Sequence, residues 1–185
     1  MGVWNVPSTA ITVGEYAYYY DLEAGKLMKV HIENGTEAAS APLEVNGMYN
    51  VPITYGNGKL FVPQLNTVLV KVLIYDADTM EKIGQSSKQL LKGNGMQGPV
   101  TYHDGYIYLG TYGGANAGID FACFHEDGTL AWSMDGGGWG YVHAPQFIEV
   151  GGTTYCVVAS KGYGQTGVTL SLIHISEPTR QAEIS

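Results

Sequence analysis

The chain has 185 residues, a length that suits one domain, and its 45% hydrophobic and 14% charged content excludes a disordered or fibrous protein. A net charge of −8 with singly scattered lysines argues against nucleic acid or an anionic membrane as the main partner. No apolar run approaches the roughly 20 residues that a membrane helix needs, so no membrane insertion is expected.

The 26 glycines and 14 tyrosines point to many short strands joined by tight turns. The opening residues MGVWNVPSTA lack the basic segment and apolar stretch of a signal peptide, and Met1 is read as an internal methionine of a longer chain. Four similar segments follow in chain order: PSTAITVGEYAYYY from Pro7, PITYGNGKLFVP from Pro52, PVTYHDGYIYLG from Pro99 and PQFIEVGGTTYCVV from Pro145. Their prolines are 45, 47 and 46 residues apart, within the period of about 40–50 residues typical of propeller blades.

Each segment reads as a hairpin. A short strand follows the proline, as at residues 53–55 and 100–102. Gly56-Asn57-Gly58, His103-Asp104-Gly105 and Gly151-Gly152 then supply the positive φ angles of two-residue turns. The second strand is nearly all apolar, as in Tyr106-Ile107-Tyr108-Leu109, which predicts cover on both faces by stacked sheets. The back halves VHIENGTEAAS, IYDADTMEKIG and CFHEDGTLAWS each give a strand, a polar turn and a weaker strand, with Asn34-Gly35 and Asp127-Gly128 marking turns. No helical periodicity interrupts the series. The fold class is therefore all-β: an incomplete β-propeller of four-stranded antiparallel blades, three whole and part of a fourth. A β-sandwich would explain the turns but not the period.

The proline-led strand, the strand that follows its turn, and the run Ile74-Tyr75-Asp76-Ala77-Asp78-Thr79-Met80-Glu81 together resemble the PQQ-like, quinoprotein-type propeller repeat. Leu130-Ala131-Trp132 is similar to the tryptophan-bearing outer strand of that family. The likeness covers about residues 7–168, and the first unit departs most, having no tryptophan in its outer strand.

The pattern breaks near the end. Residues 170–180, LSLIHISEPTR, resemble the translation of a transposase-adapter sequence used in DNA library preparation. The expected division is thus a partial propeller over 1–169 and a non-native tail over 170–185, and His174 and Arg180 receive no functional weight.

Chemistry-bearing residues are few. Asn5, Asn50, Gln97 and His143 stand two before each leading proline, where links between blades could bring them into one ligand-facing rim. Capping of loop backbone by the same side chains is the plainer reading. Trp4, Tyr49, Met96 and Tyr141 lie just before them and suit packing between blades. The loop Asp135-Gly-Gly-Gly-Trp139-Gly-Tyr141 would allow stacking on a sugar or quinone ring, or serve as a flexible link. The segments at 112–118 and 161–167 read as plain connecting loops. Asp76, Asp78 and Glu81 lack the ligand count of a calcium loop and read as a polar turn. Cys123 and Cys156, in apolar strands, read as buried free thiols. No Ser/His/Asp, H-E-x-x-H or C-x-x-C motif is present.

These readings favour a non-enzymatic propeller that binds or scaffolds a protein or glycan partner, with no cofactor, at a cell surface or in the envelope. The open ends of the blade series are expected to self-associate through exposed strands. One alternative is part of a quinone-dependent dehydrogenase, a class in which the resemblance implies paired adjacent cysteines, calcium-binding acids and a catalytic aspartate. A glycan-binding propeller is the other.

Overall fold

Asn57-Gly58, Asp104-Gly105 and Gly151-Gly152 all adopt positive φ, the requirement of a type I′ hairpin turn, and each joins a short strand to a longer one. The computed structural model describes residues 10–44, 49, 51–65, 69–87, 90–91, 99–111, 119–136, 144–161 and 168–174. Every regular element among them is a strand.

Blade 1 is the sheet β1 (Ile11–Val13), β2 (Tyr16–Asp21), β3 (Lys26–His31) and β4 (Glu37–Pro42), paired antiparallel in chain order. Blade 2 repeats this with β5 (Thr54–Gly56), β6 (Lys59–Leu65), β7 (Leu69–Asp76) and β8 (Lys82–Gln85). Its outer strand comes in two pieces, because β9 (Leu90–Leu91) pairs with Leu69 and Val70 at the other end of β7. Blade 3 comprises β10 (Thr101–His103), β11 (Tyr106–Gly110), β12 (Ile119–His125) and β13 (Leu130–Gly136). Blade 4 contributes β14 (Gln146–Val150), β15 (Thr153–Lys161) and β16 (Val168–His174). The expected all-β series of antiparallel blades, three whole and a fourth in part, is thus the observed one.

One boundary differs from the sequence reading. Asp135 and Gly136, placed in a loop, extend β13 by pairing with Asp120 and Ile119. In β16 the pairing runs past residue 169, with Leu170 opposite Ala159 and His174 opposite Tyr155. Strand pairing uses the backbone, so a change of side-chain pattern at residue 170 need not interrupt it.

The hairpin register makes the blades superimposable in sequence. The pairs Ile11–Tyr18, Thr54–Phe61, Thr101–Tyr108 and Ile148–Tyr155 all sit two places from their turns. At that place the second strand always carries an aromatic ring, and its neighbours along the strand point to the opposite face. Tyr18 accordingly packs in the core between blades 1 and 2, Phe61 between blades 2 and 3, and Tyr108 between blades 3 and 4. Leu60 and Val62, Ile107 and Leu109, and Cys156 and Val158 fill the other side of the same three cores, facing back toward the preceding blade. Blades therefore meet face to face, and Phe61, Tyr108, Leu60 and Ile107 are fully buried. This explains the absence of polar alternation in the second strands.

Candidate functional site

The six residues singled out for ligand contact, Asn5, Asn50, Gln97, Trp139, Tyr141 and His143, all lie outside the described residues, as do Trp4 and Met96. Tyr49 is described, and it packs between blades. Its ring is buried in the first inter-blade core, tilted against Tyr20 at 5.3 Å. The Tyr49 hydroxyl accepts from the Glu44 amide at 2.9 Å and from Gln64 Nε2 at 3.2 Å.

Through Glu44, that contact borders a cleft between blades 1 and 2. It has a volume of about 840 Å³ and lies where the end of β4 meets the turn between β7 and β8. Ser40, Ala41, Leu43 and Glu44 form one wall; Tyr75, Thr79, Met80, Glu81 and Lys82 form the other. Glu44 is the electrostatic centre. Lys71 Nζ donates to its Oε2 at 2.8 Å, Gln64 Nε2 to the same oxygen at 3.1 Å, and Lys82 Nζ to its Oε1. Hydrogen bonds from Lys71 and then Lys82 hold the Glu44 carboxyl well down, to about 2. An anion so held cannot give up or take a proton near neutral pH, so Glu44 is a tie and not an acid–base group. The sequence could not pair it with Lys71, because the two meet only when blade 2 packs on blade 1.

Two further charged groups have the same role. Glu126, in the turn after β12, accepts from Lys59 Nζ at 2.8 Å and from Asn57 Nδ2 at 3.1 Å, both in blade 2, and from Tyr102 of its own blade at 3.1 Å. The hydrogen bonds from Lys59 and Asn57 lower its pKa. Lys29 of blade 1 is buried, lies 4.2 Å from the centroid of the Tyr16 ring, and donates to the Asp78 carbonyl of blade 2 at 3.1 Å.

The Asp76–Glu81 run is a turn, as read. Asp76 Oδ1 accepts from the Thr79 amide at 2.8 Å, the Asp78 amide at 2.9 Å and the Thr79 hydroxyl at 3.1 Å, which lowers its pKa. Among the described residues no group of three or more His, Cys, Asp and Glu side chains is placed to hold a metal ion. Both thiols are free and fully buried, Cys123 on β12 and Cys156 on β15, in the core between blades 3 and 4. Burial pushes each up to about 12, so neither forms a thiolate near neutral pH. The Tyr108 hydroxyl is buried beside the Cys123 thiol, a weak partner that leaves it without a full hydrogen bond, and burial raises its pKa strongly.

No protein-family model matches the chain, and no curated protein matches it. Among solved structures it is similar to the quinohemoprotein alcohol dehydrogenase of Comamonas testosteroni, with a TM-score of 0.63 and 14% identity over 83% of this chain and 29% of that one. It is similar to quinohemoprotein alcohol dehydrogenase ADHIIG of Pseudomonas putida HK5, with a TM-score of 0.60 and 14% identity over 82% and 30%. BamB from Moraxella catarrhalis gives a TM-score of 0.56 and 13% identity over 92% of this chain and 50% of that one. The chain spans half or less of the length of each. At such identities the likeness is one of fold alone, and that fold is a β-propeller.

Proposed function

We propose that the chain is part of a non-enzymatic β-propeller that binds or scaffolds a protein partner at a cell surface or in the envelope. One observation carries the reading. Of the five ion pairs among the described residues, four join one blade to another: Lys29–Asp78, Lys59–Glu126, and Glu44 with Lys71 and with Lys82. Charges that an enzyme would aim at a substrate here hold sheets together, which suits a rigid platform for a partner. The links between blades supply the contact surface in this reading. Asn5, Asn50, Gln97 and His143 form its polar rim, and Trp139 and Tyr141 its aromatic wall. In this reading residues 1–169 are the native propeller unit, and residues 170–185, of which 170–174 pair with β15 through their backbone, add nothing to binding.

Likeness in fold to two quinohemoprotein dehydrogenases favours a second reading, part of a quinone-dependent dehydrogenase. Against it, Cys123 and Cys156 stand on different blades and are not adjacent in sequence. The two readings separate in one titration. Pyrroloquinoline quinone and Ca²⁺ are added to the protein, and quinone retention and alcohol-dependent dye reduction are followed by absorbance. The scaffold reading expects neither. Stoichiometric quinone retention with calcium-dependent turnover would overturn it. Glycan binding lost on Trp139→Ala would instead favour a glycan-binding propeller.

A further inference from the structure

The turns between third and fourth strands share one feature with one exception. Each has a residue at positive φ just before the residue that closes it: Gly35 in blade 1, Met80 in blade 2 and Gly128 in blade 3. Met80, at 63°, is the one that carries a side chain, in a region that residues other than glycine rarely adopt. The junctions between blades differ accordingly. Between blades 2 and 3, Gly128 meets the backbone of Gln85 on β8, and the Ser87 amide donates to the Gly128 carbonyl at 2.8 Å. The register puts Ser40 of β4 at the place of Gln85, since Met28–Ser40 and Leu73–Gln85 are equivalent pairs. Between blades 1 and 2, Ser40 and Met80 instead stand on opposite walls of the cleft of about 840 Å³. A side chain in place of glycine keeps the two backbones apart, and Met80, 2% exposed, fills the core beneath them.

A second departure borders the same space. Tyr75 lies opposite Leu60 as Phe124 lies opposite Ile107, so blade 2 has a hydroxyl where blade 3 has none. Tyr75 is 2% exposed and lines the cleft, and no described residue makes a hydrogen bond with its hydroxyl. A hydroxyl so buried is costly without a partner. Lys82 Nζ, on the same wall, donates to Glu44 and to Gln85, which leaves one of its three donors for another acceptor.

The lining selects its occupant. Its charges cancel, Glu44 and Glu81 against Lys82 and the Lys71 that binds Glu44, which matches an uncharged ligand. Ala41, Pro42, Leu43 and the Met80 thioether suit an aliphatic side chain, and the donors of Tyr75 and Lys82 suit carbonyl oxygens. Tyr75 is the one aromatic residue of the lining, and its ring is packed in the core, so a sugar finds no stacking platform. Among the described strands β4 pairs with β3 alone, so a free backbone edge runs beside the cleft, as an extended chain requires.

We propose that the cleft between blades 1 and 2 binds an extended, uncharged peptide segment of a partner protein. An aliphatic side chain of the segment packs against Met80, and one of its carbonyls accepts from the Tyr75 hydroxyl. The site is separate from the rim of links between blades and does not rest on it.

Methyl spectra of the full chain labelled with ¹³C-methyl methionine test it, with the Met80 signal assigned by its loss in Met80→Gly. The probe is the capped peptide acetyl-alanyl-leucyl-alanine amide. It is expected to move the Met80 methyl with a dissociation constant on the order of 1 mM. Lysyl and glutamyl counterparts of the probe should bind several times more weakly. Tyr75→Phe should weaken the leucyl peptide about fivefold, through one lost hydrogen bond, without lowering the melting temperature. Tyr55→Phe, the same change at an exposed position of blade 2, should alter neither. Met80→Gly should abolish binding in equilibrium dialysis while the protein stays folded by circular dichroism, because the junction can then close as it does at Gly128. A Met80 methyl that stays still at about tenfold that peptide concentration would overturn the proposal. So would equal binding of the charged peptides, equal binding by Tyr75→Phe, or a Met80 methyl that answers to methyl glucoside and not to peptide.

Discussion

The Tyr102 ring lies flat against the backbone of Gly56, so close that a Cβ on that glycine would stand 2.2 Å from the ring's Cγ. The ring also stacks on Phe61 at 5.7 Å and 14°, and its hydroxyl donates to Glu126. Gly56 has ordinary φ, so it is required by the approach of blade 3 and not by its own backbone. Gly56→Ala is expected to lower stability by about 1–3 kcal/mol, measured by denaturant unfolding. Adding Tyr102→Ala to that variant should cost less than it does in the wild type. Equal costs would mean that the two residues do not oppose each other.

Gly128 marks a second close approach. It has a φ of +90°, and a Cβ there would stand 2.4 Å from the Gln85 carbonyl oxygen of blade 2. The obstacle is the Gln85 backbone, which cannot move aside as the end of a flexible side chain can, so Gly128→Ala should cost about 3 kcal/mol or more and lower the melting temperature well beyond an exposed-turn substitution. Gly35→Ala is the control, with positive φ but open space around it.

Glu44 gives the fold a pH signature. Its carboxyl, ordinarily near 4.5, is held to about 2 by Lys71 and Lys82. A lowered folded-state value means that its contribution is full above about pH 4.5 and is lost as pH falls toward 2. Glu44→Gln should therefore be less stable than the wild type at pH 7, by on the order of 1 kcal/mol given its partial exposure. The difference should shrink through that acid window. A gap that persists at pH 2 would remove the ion pairs from the account.

The thiols behave in the opposite sense. Cys123 and Cys156 titrate at about 12 when folded, above the ordinary value of 9.0. Their contribution is full below pH 9 and falls as pH rises toward 12. At pH 8 neither should react with a disulfide reagent such as DTNB in the native state, and both should react in guanidinium chloride. Rapid labelling of the native protein would contradict their burial.

The turns were readable from sequence because positive φ restricts the residues that can occupy them, as at Asn57-Gly58 and Asp104-Gly105. Blade spacing followed from the four prolines that precede the first strand of each unit, since a proline's fixed φ and missing N–H suit the start of a strand. The buried thiols were also readable, from the apolar strands around Cys123 and Cys156. The inter-blade ties were not. Glu126 is 67 residues from Lys59, and a charge in a polar turn looks solvated until a neighbouring sheet brings its partner. Pairing of Asp135 and Gly136 within β13 was hidden because glycine-rich sequence resembles a loop and only the partner strand β12 reveals the ladder.

Hydrogen exchange on a dilute sample of single copies tests the central claim most directly, that the molecule is a series of blades stabilised by their neighbours' faces. Blades 2 and 3 are covered on both sides, so amides of β6, β7, β11 and β12 should be the slowest to exchange, with those of β14 and β15 clearly faster. Slowest exchange in β14 and β15, or uniform protection across all four sheets, would contradict it.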